Sequence, residues 1–208
     1  MSDLDTLLVC SGEKGPDENI ANWLVALSRN SSEWREAQRV QTDGMGRICC
    51  ALSDSRVLIG QLRFTYMELF RVESGARIAH VHRIHVPEQY YWFSATCGSD
   101  TLVAMSSEND KSVRVHRLRG DRLDELSRIL LKWPKRLLWL ADRLLVADYD
   151  DRKKSDSVIE LDVSDTRIAR RRELIATSEK ISVSSLCAVN DGLAICDEHY
   201  DILHYSLI

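Results

Sequence analysis

The sequence contains no run of 18 apolar residues, so no segment is built to cross a membrane as a helix. Its first stretch, MSDLDTLLVCSG, carries acids, lacks a basic region and holds an apolar run of only four residues. It does not read as a secretory signal. Basic charge is not in excess: 28 Lys and Arg stand against 32 Asp and Glu, which removes any global pull towards nucleic acid. The six cysteines (Cys10, Cys49, Cys50, Cys97, Cys187 and Cys196) form no CxxC pair and lack zinc-ligand spacing. Nearly all lie in apolar runs, so they read as reduced, buried thiols of a cytoplasmic protein. The GxSxG, GxxxxGKS/T, HExxH and GxGxxG signatures of hydrolases, nucleotide-binding loops, metalloproteases and dinucleotide folds are all missing.

What is present is a period. Residues 22–28 (NWLVALS), 66–72 (YMELFRV), 112–118 (SVRVHRL), 157–163 (SVIELDV) and 201–207 (DILHYSL) are strand-like heptads that recur every 44–46 residues. A fixed period of this length signals a repeat architecture. Three of the heptads are followed by Arg and then Ile or Leu, at 77, 122 and 167, with WREAQRVQ in the same place in the first unit. Gly75, Gly120 and the Ser-Asp pair at 164–165 supply turn chemistry between the strands. Ahead of the heptads lies another strand pair, with Asp54, Asp100, Asp142 and Asp191 at its turn. A turn Asp bonds nearby backbone amides, so its repetition reads as structural.

Each unit is therefore a meander of four short strands, a to d. Residues 121–133 have the spacing of an amphipathic helix, but their register in the repeat assigns them to a strand. A 45-residue meander cannot bury both faces alone, and such sheets stack radially. The expected fold is all-β, a β-propeller-like array of about five four-stranded antiparallel blades, incomplete at both termini. One domain spans 1–208, with complete units at 45–89, 90–135 and 136–181 and partial units at 1–44 and 182–208. The open edges of the partial units invite self-association, as unpaired strands do.

The segment 110–123 (DKSVRVHRLRGDRL) resembles the third strand and following turn of a WD repeat, in which an Asp precedes the strand. His116-Arg117, Phe70-Arg71 and Leu161-Asp162 stand where that family has Trp-Asp, and no Gly-His precedes strand a. The resemblance implies a divergent WD-like propeller without that family's buried polar network.

On a propeller, the b–c and d–a loops share one face. Here they gather acids and aromatics: Tyr90, Tyr91, Trp92, Trp133, Asp148, Tyr149, Asp150, Asp197, Glu198 and Tyr200. Aromatic anchors with steering carboxylates suit a basic peptide. The leading expectation is thus a non-catalytic scaffold that binds a protein or peptide partner on this face, with no nucleic acid, no membrane and no cofactor. Two alternatives stand beside it. One is a metal-assisted hydrolase or lactonase of propeller type, with Glu108, Asp148 and Asp197 offering hard oxygen ligands to Ca²⁺ or Mg²⁺. The other is a truncated repeat protein that needs a partner chain to close its ring. His80 and His82 share a strand side but lack a third ligand, so they read as ordinary strand residues.

Overall fold

The structure, a computed structural model, describes residues 6–14, 20–30, 33–42, 46–52, 55–61, 66–86, 92–97, 101–107, 109–140, 143–164, 167–176, 182–189, 192–197 and 202–206. The chain divides into two compact units, residues 1–89 and 90–208. Every described regular element is a β-strand. No described helix is long and apolar enough to cross a membrane.

In the first unit, β1 (Thr6–Lys14), β2 (Ile20–Asn30) and β3 (Glu33–Thr42) pair antiparallel in chain order. A four-strand meander follows: β4 (Gly46–Ala51), β5 (Arg56–Gln61), β6 (Tyr66–Glu73) and β7 (Arg77–His85). The second unit holds two more such meanders. They are β8 (Trp92–Cys97), β9 (Leu102–Ser107), β10 (Ser112–Arg119) and β11 (Arg122–Leu130), then β12 (Pro134–Leu140), β13 (Arg143–Asp150), β14 (Ser155–Val163) and β15 (Ile168–Ala176). It ends with three strands, β16 (Val183–Val189), β17 (Gly192–Asp197) and β18 (Ile202–Ser206).

The heptads at 66, 112 and 157 are the third strands of the complete meanders, β6, β10 and β14. The first and last heptads fall in β2, the second strand of the first three-strand group, and β18, the third strand of the last. Residues 122–130 form a strand, so the repeat register prevails over helical spacing. A bulge recurs between the fourth and fifth heptad residues, at Leu69/Phe70, Val115/His116 and Glu160/Leu161. Each adds local twist between a third strand and its outer neighbour.

The alternation of side chains explains the apolar runs. In β13, Leu144 and Val146 join a core with Ala104, Val113, Val115, Leu137, Ile159, Leu161 and Ile168. Leu145 and Ala147 face the other way, into a core with Val158, Ile175, Val183, Leu193 and Ile195. One strand thus feeds two cores, which is why it reads as continuous apolar sequence rather than as alternation. In the first unit, Leu24 and Ala26 of β2 pack with Val57, Ile59, Phe70, Ala76 and Ile78.

The position that a WD repeat gives to Trp is buried in each complete meander, as Phe70, His116 and Leu161. A different polar group is buried beside it. Arg114 donates from Nη2 to Asp110 at 2.5 Å, from Nη1 to Glu125 at 2.9 Å and from Nε to Ser112 Oγ at 3.3 Å. Burial pushes the Asp110 carboxyl up, but hydrogen bonds from Ser112 and Arg114 outweigh it and leave it below the usual carboxylate range.

One expectation needs adjustment here. Among the cysteines whose side chains are described, none is deeply buried: Cys187 is exposed, and Cys10 and Cys196 are half-buried, Cys10 against the core that holds Leu24 and Phe70. Arg122 pairs with Asp124 of its own strand at 3.2 Å, while Arg77 and Arg167 are exposed. The turn residues Asp54, Asp100, Asp142 and Asp191 lie outside the described residues.

Gly75 and Gly120 do carry positive φ, +75° and +61°, at the turns assigned to them. A Cβ at either would meet open space, so the cost of a side chain there is purely that of the left-handed backbone. Gly120→Ala is expected to lower stability by about 1 kcal/mol. A urea midpoint unchanged from the parent chain would contradict this.

Candidate functional site

The site is built where the loop before β12 meets the β13–β14 turn. Lys132 and Trp133 lead into Pro134, the first residue of β12, and β13 runs antiparallel so that its end arrives beside them. The Tyr149 N–H donates to the Trp133 carbonyl at 3.0 Å. The buried Asp148 carboxylate closes the same loop: Oδ1 accepts from the Trp133 N–H at 2.7 Å and Oδ2 from the Lys132 N–H at 3.3 Å. Burial raises the Asp148 carboxyl above its ordinary range, and these two N–H bonds offset it only in part.

Asp150 shapes the turn at 151–154. Its Oδ2 accepts from Lys132 Nζ at 2.5 Å and its Oδ1 from the Arg152 N–H at 2.9 Å, while the Lys154 N–H reaches its carbonyl at 2.8 Å. The Lys132 bond, ahead of the others, holds the Asp150 carboxyl below the usual range. Asp156 staples the next meander: its Oδ2 accepts from the Val183 N–H at 2.6 Å and lies 3.7 Å from Lys135 Nζ. Trp133 and Tyr149 meet edge to face at 6.3 Å, with Lys111 Nζ 5.6 Å from the Trp133 ring centre and Lys135 Nζ 4.3 Å from that of Tyr149.

Two cavities flank this framework. The smaller, about 20 Å³, has room for a water and is lined by Asp148, Asp156, Ser157, Arg170, Lys132 and Asp150 among others. The larger, an open pocket of about 490 Å³, falls in the size range of small-molecule sites. Its lining is Lys111, Leu131, Lys132, Trp133, Tyr149, Asp150, Asp151 and Arg152. Lys132 and Asp150 belong to both walls.

Of the ten residues expected to bind a partner, the fold brings Trp133, Asp148, Tyr149 and Asp150 together. Tyr90, Tyr91, Glu198 and Tyr200 lie outside the described residues. Trp92 opens β8 and Asp197 ends β17, and their side chains are likewise not described. Of the carboxylates expected to hold a cation, Glu108 is outside the described residues as well, and Asp148 directs both oxygens at backbone N–H groups. Among the described residues, no group of three His, Cys, Asp or Glu is arranged to hold a metal ion. Lys111, Lys132, Arg152 and Asp156 were not singled out from the sequence. The three cations stand in segments that were weighed for their acids and aromatics alone; their positive charge was the overlooked signal.

No family model and no curated protein sequence matches the chain. Solved structures do resemble it. A protein from Lactobacillus plantarum superposes with a TM-score of 0.67 at 11% identity, covering 99% of this chain and 68% of that one. A candidate 6-phosphogluconolactonase from Bacteroides uniformis gives 0.62 at 14% identity, covering 98% and 68%. Virginiamycin B lyase from Staphylococcus aureus gives 0.58 at 12% identity, covering 95% and 66%. The chain thus spans about two thirds of the length of these proteins.

The expectation of a non-catalytic scaffold is corrected by these findings. Two of these similar structures are of the lactonase and lyase kind. The fold itself is the expected one: the chain is an all-β, β-propeller-like array of antiparallel meanders.

Proposed function

We propose that the chain is a hydrolase of propeller type that opens a cyclic ester, the lactonase alternative of the sequence reading. The observation that carries this is the wall shared by a water-sized polar cavity and a substrate-sized pocket. Ester hydrolysis brings a water within reach of the ester carbonyl, with a base at the water and cations near the carbonyl oxygen that gains charge. Asp148 lines the small cavity, and burial makes its carboxylate more basic than an ordinary one. Lys132 lies on both walls, where its ammonium group can meet the developing oxyanion. Trp133 and Tyr149 give the ring an apolar surface. The likeness to a candidate lactonase supports the reaction class, although fold alone does not assign a reaction.

A panel of five- and six-membered lactones, followed by proton release at constant pH, tests the reading. Turnover is expected for at least one member, with Asp148→Asn lowering kcat by about 10²–10⁴-fold. The rate is expected to rise with pH through a carboxyl value above the usual Asp range. Absence of turnover across the panel, or an Asp148→Asn chain as active as the parent, would overturn it.

A further inference from the structure

We infer that the larger pocket selects a small ring compound carrying one oxyanion group, a carboxylate or a phosphoryl. This deepens the proposed function and rests on it for the identity of the site, but it concerns binding and not turnover. The chain as a whole is acidic, with a net charge of −4. The pocket reverses that sign locally: three cations, Lys111, Lys132 and Arg152, face two carboxylates, Asp150 and Asp151.

Both carboxylates are already matched. Asp150 takes Lys132, and Asp151 takes Lys154 at 3.6 Å. Lys111 and Arg152 are left with no carboxylate partner among the described residues. The Lys111 ammonium group instead lies over the Trp133 ring, and the Arg152 backbone N–H, not its guanidinium, bonds Asp150. Two cations lining a pocket with an aromatic pair match an anionic ring: the oxyanion meets cationic lining while the ring body lies against Trp133 and Tyr149. A neutral ring would find only the aromatic part.

Glucose, glucuronate and glucose 6-phosphate distinguish the cases, being one ring with no anion, a carboxylate or a phosphoryl group. Each is titrated to about 10 mM, well above the millimolar limit of weak recognition, with tryptophan fluorescence as the signal. At least one of the two acids is expected to bind, about tenfold tighter than glucose, and more weakly as salt rises. The tighter acid identifies the source of the oxyanion. Lys111→Ala and Arg152→Ala are each expected to weaken that acid severalfold with an unchanged far-ultraviolet circular dichroism spectrum, and Trp133→Phe should remove the signal.

Glucose binding as tightly as the acids would overturn the inference. So would no binding by any of the three, or affinities unmoved by Lys111→Ala and Arg152→Ala. Lactone turnover without preference for the acids defeats this inference alone. Acid binding without lactone turnover defeats the reaction and leaves the anion site standing.

Discussion

Between pH 6.5 and 4, the chain is expected to lose about 3 kcal/mol of stability through His116 alone. His116 lies on β10 with a relative exposure of 2%, and burial, helped by the nearby Arg114 guanidinium, pushes its imidazole down to about 4. In the unfolded chain it titrates near 6.5. The unfolded state therefore binds more protons throughout that window. Stability from this group is full above pH 6.5 and is lost as the pH falls to the folded value. Asp110 works in the same direction, because its folded carboxyl lies low. Asp148 opposes both, since its raised carboxyl takes up a proton earlier in the folded chain than in the unfolded one.

Urea midpoints at pH 7, 5.5 and 4 read the sum. Two substitutions isolate the histidine: His116→Leu and His116→Phe place at this position the side chains that Leu161 and Phe70 supply in the equivalent strands. Both are expected to fold at pH 7 and to flatten the acid limb. An acid limb as steep in both variants as in the parent would show that other groups govern acid unfolding.

The second large effect concerns β13. Leu145 is fully buried, in the core that joins β13–β15 to β16 and β17. Leu145→Ala is expected to cost about 2–5 kcal/mol, the transfer loss plus the cavity left where close-packed neighbours cannot collapse. Leu144→Ala should cost a similar amount by damaging the opposite core, which joins β13 to β9, β10, β12, β14 and β15. Calorimetry and urea unfolding measure both. A loss below about 1 kcal/mol for either would mean that its face of the sheet is not packed as described.

The equal cost predicted for adjacent residues has a sequence counterpart. The run LLVA in β13 lacks the alternation of a half-buried strand, and it does so because both faces are covered. The same reasoning makes the recurring heptad informative. Its stride set the third strands at β6, β10 and β14 and overruled a helical pattern at 122–130, because only a repeated sheet places equivalent residues in equivalent neighbours. Gly75 and Gly120 were legible for a local reason: a left-handed turn position favours glycine, although Ser55, Ala76, Lys111 and Lys154 also carry positive φ and gave no such signal.

The site was legible only in part. Its aromatics and acids could be assigned to one set of loops from the strand order, and Trp133, Asp148, Tyr149 and Asp150 do meet. Their partners could not be assigned, and the partners decide the chemistry. A loop sequence shows that Asp148 and Asp150 are acids; it does not show that backbone N–H groups and Lys132 already hold them.

By itself, then, the sequence determined the strand pattern, the repeat and its turns, since these depend on side-chain periodicity and on backbone preferences that each segment carries with it. Tertiary structure alone decided the sign of the pocket, the burial of His116 and the basicity of Asp148. Those properties are set by desolvation and by charges that come within a few ångströms only after distant strands have packed.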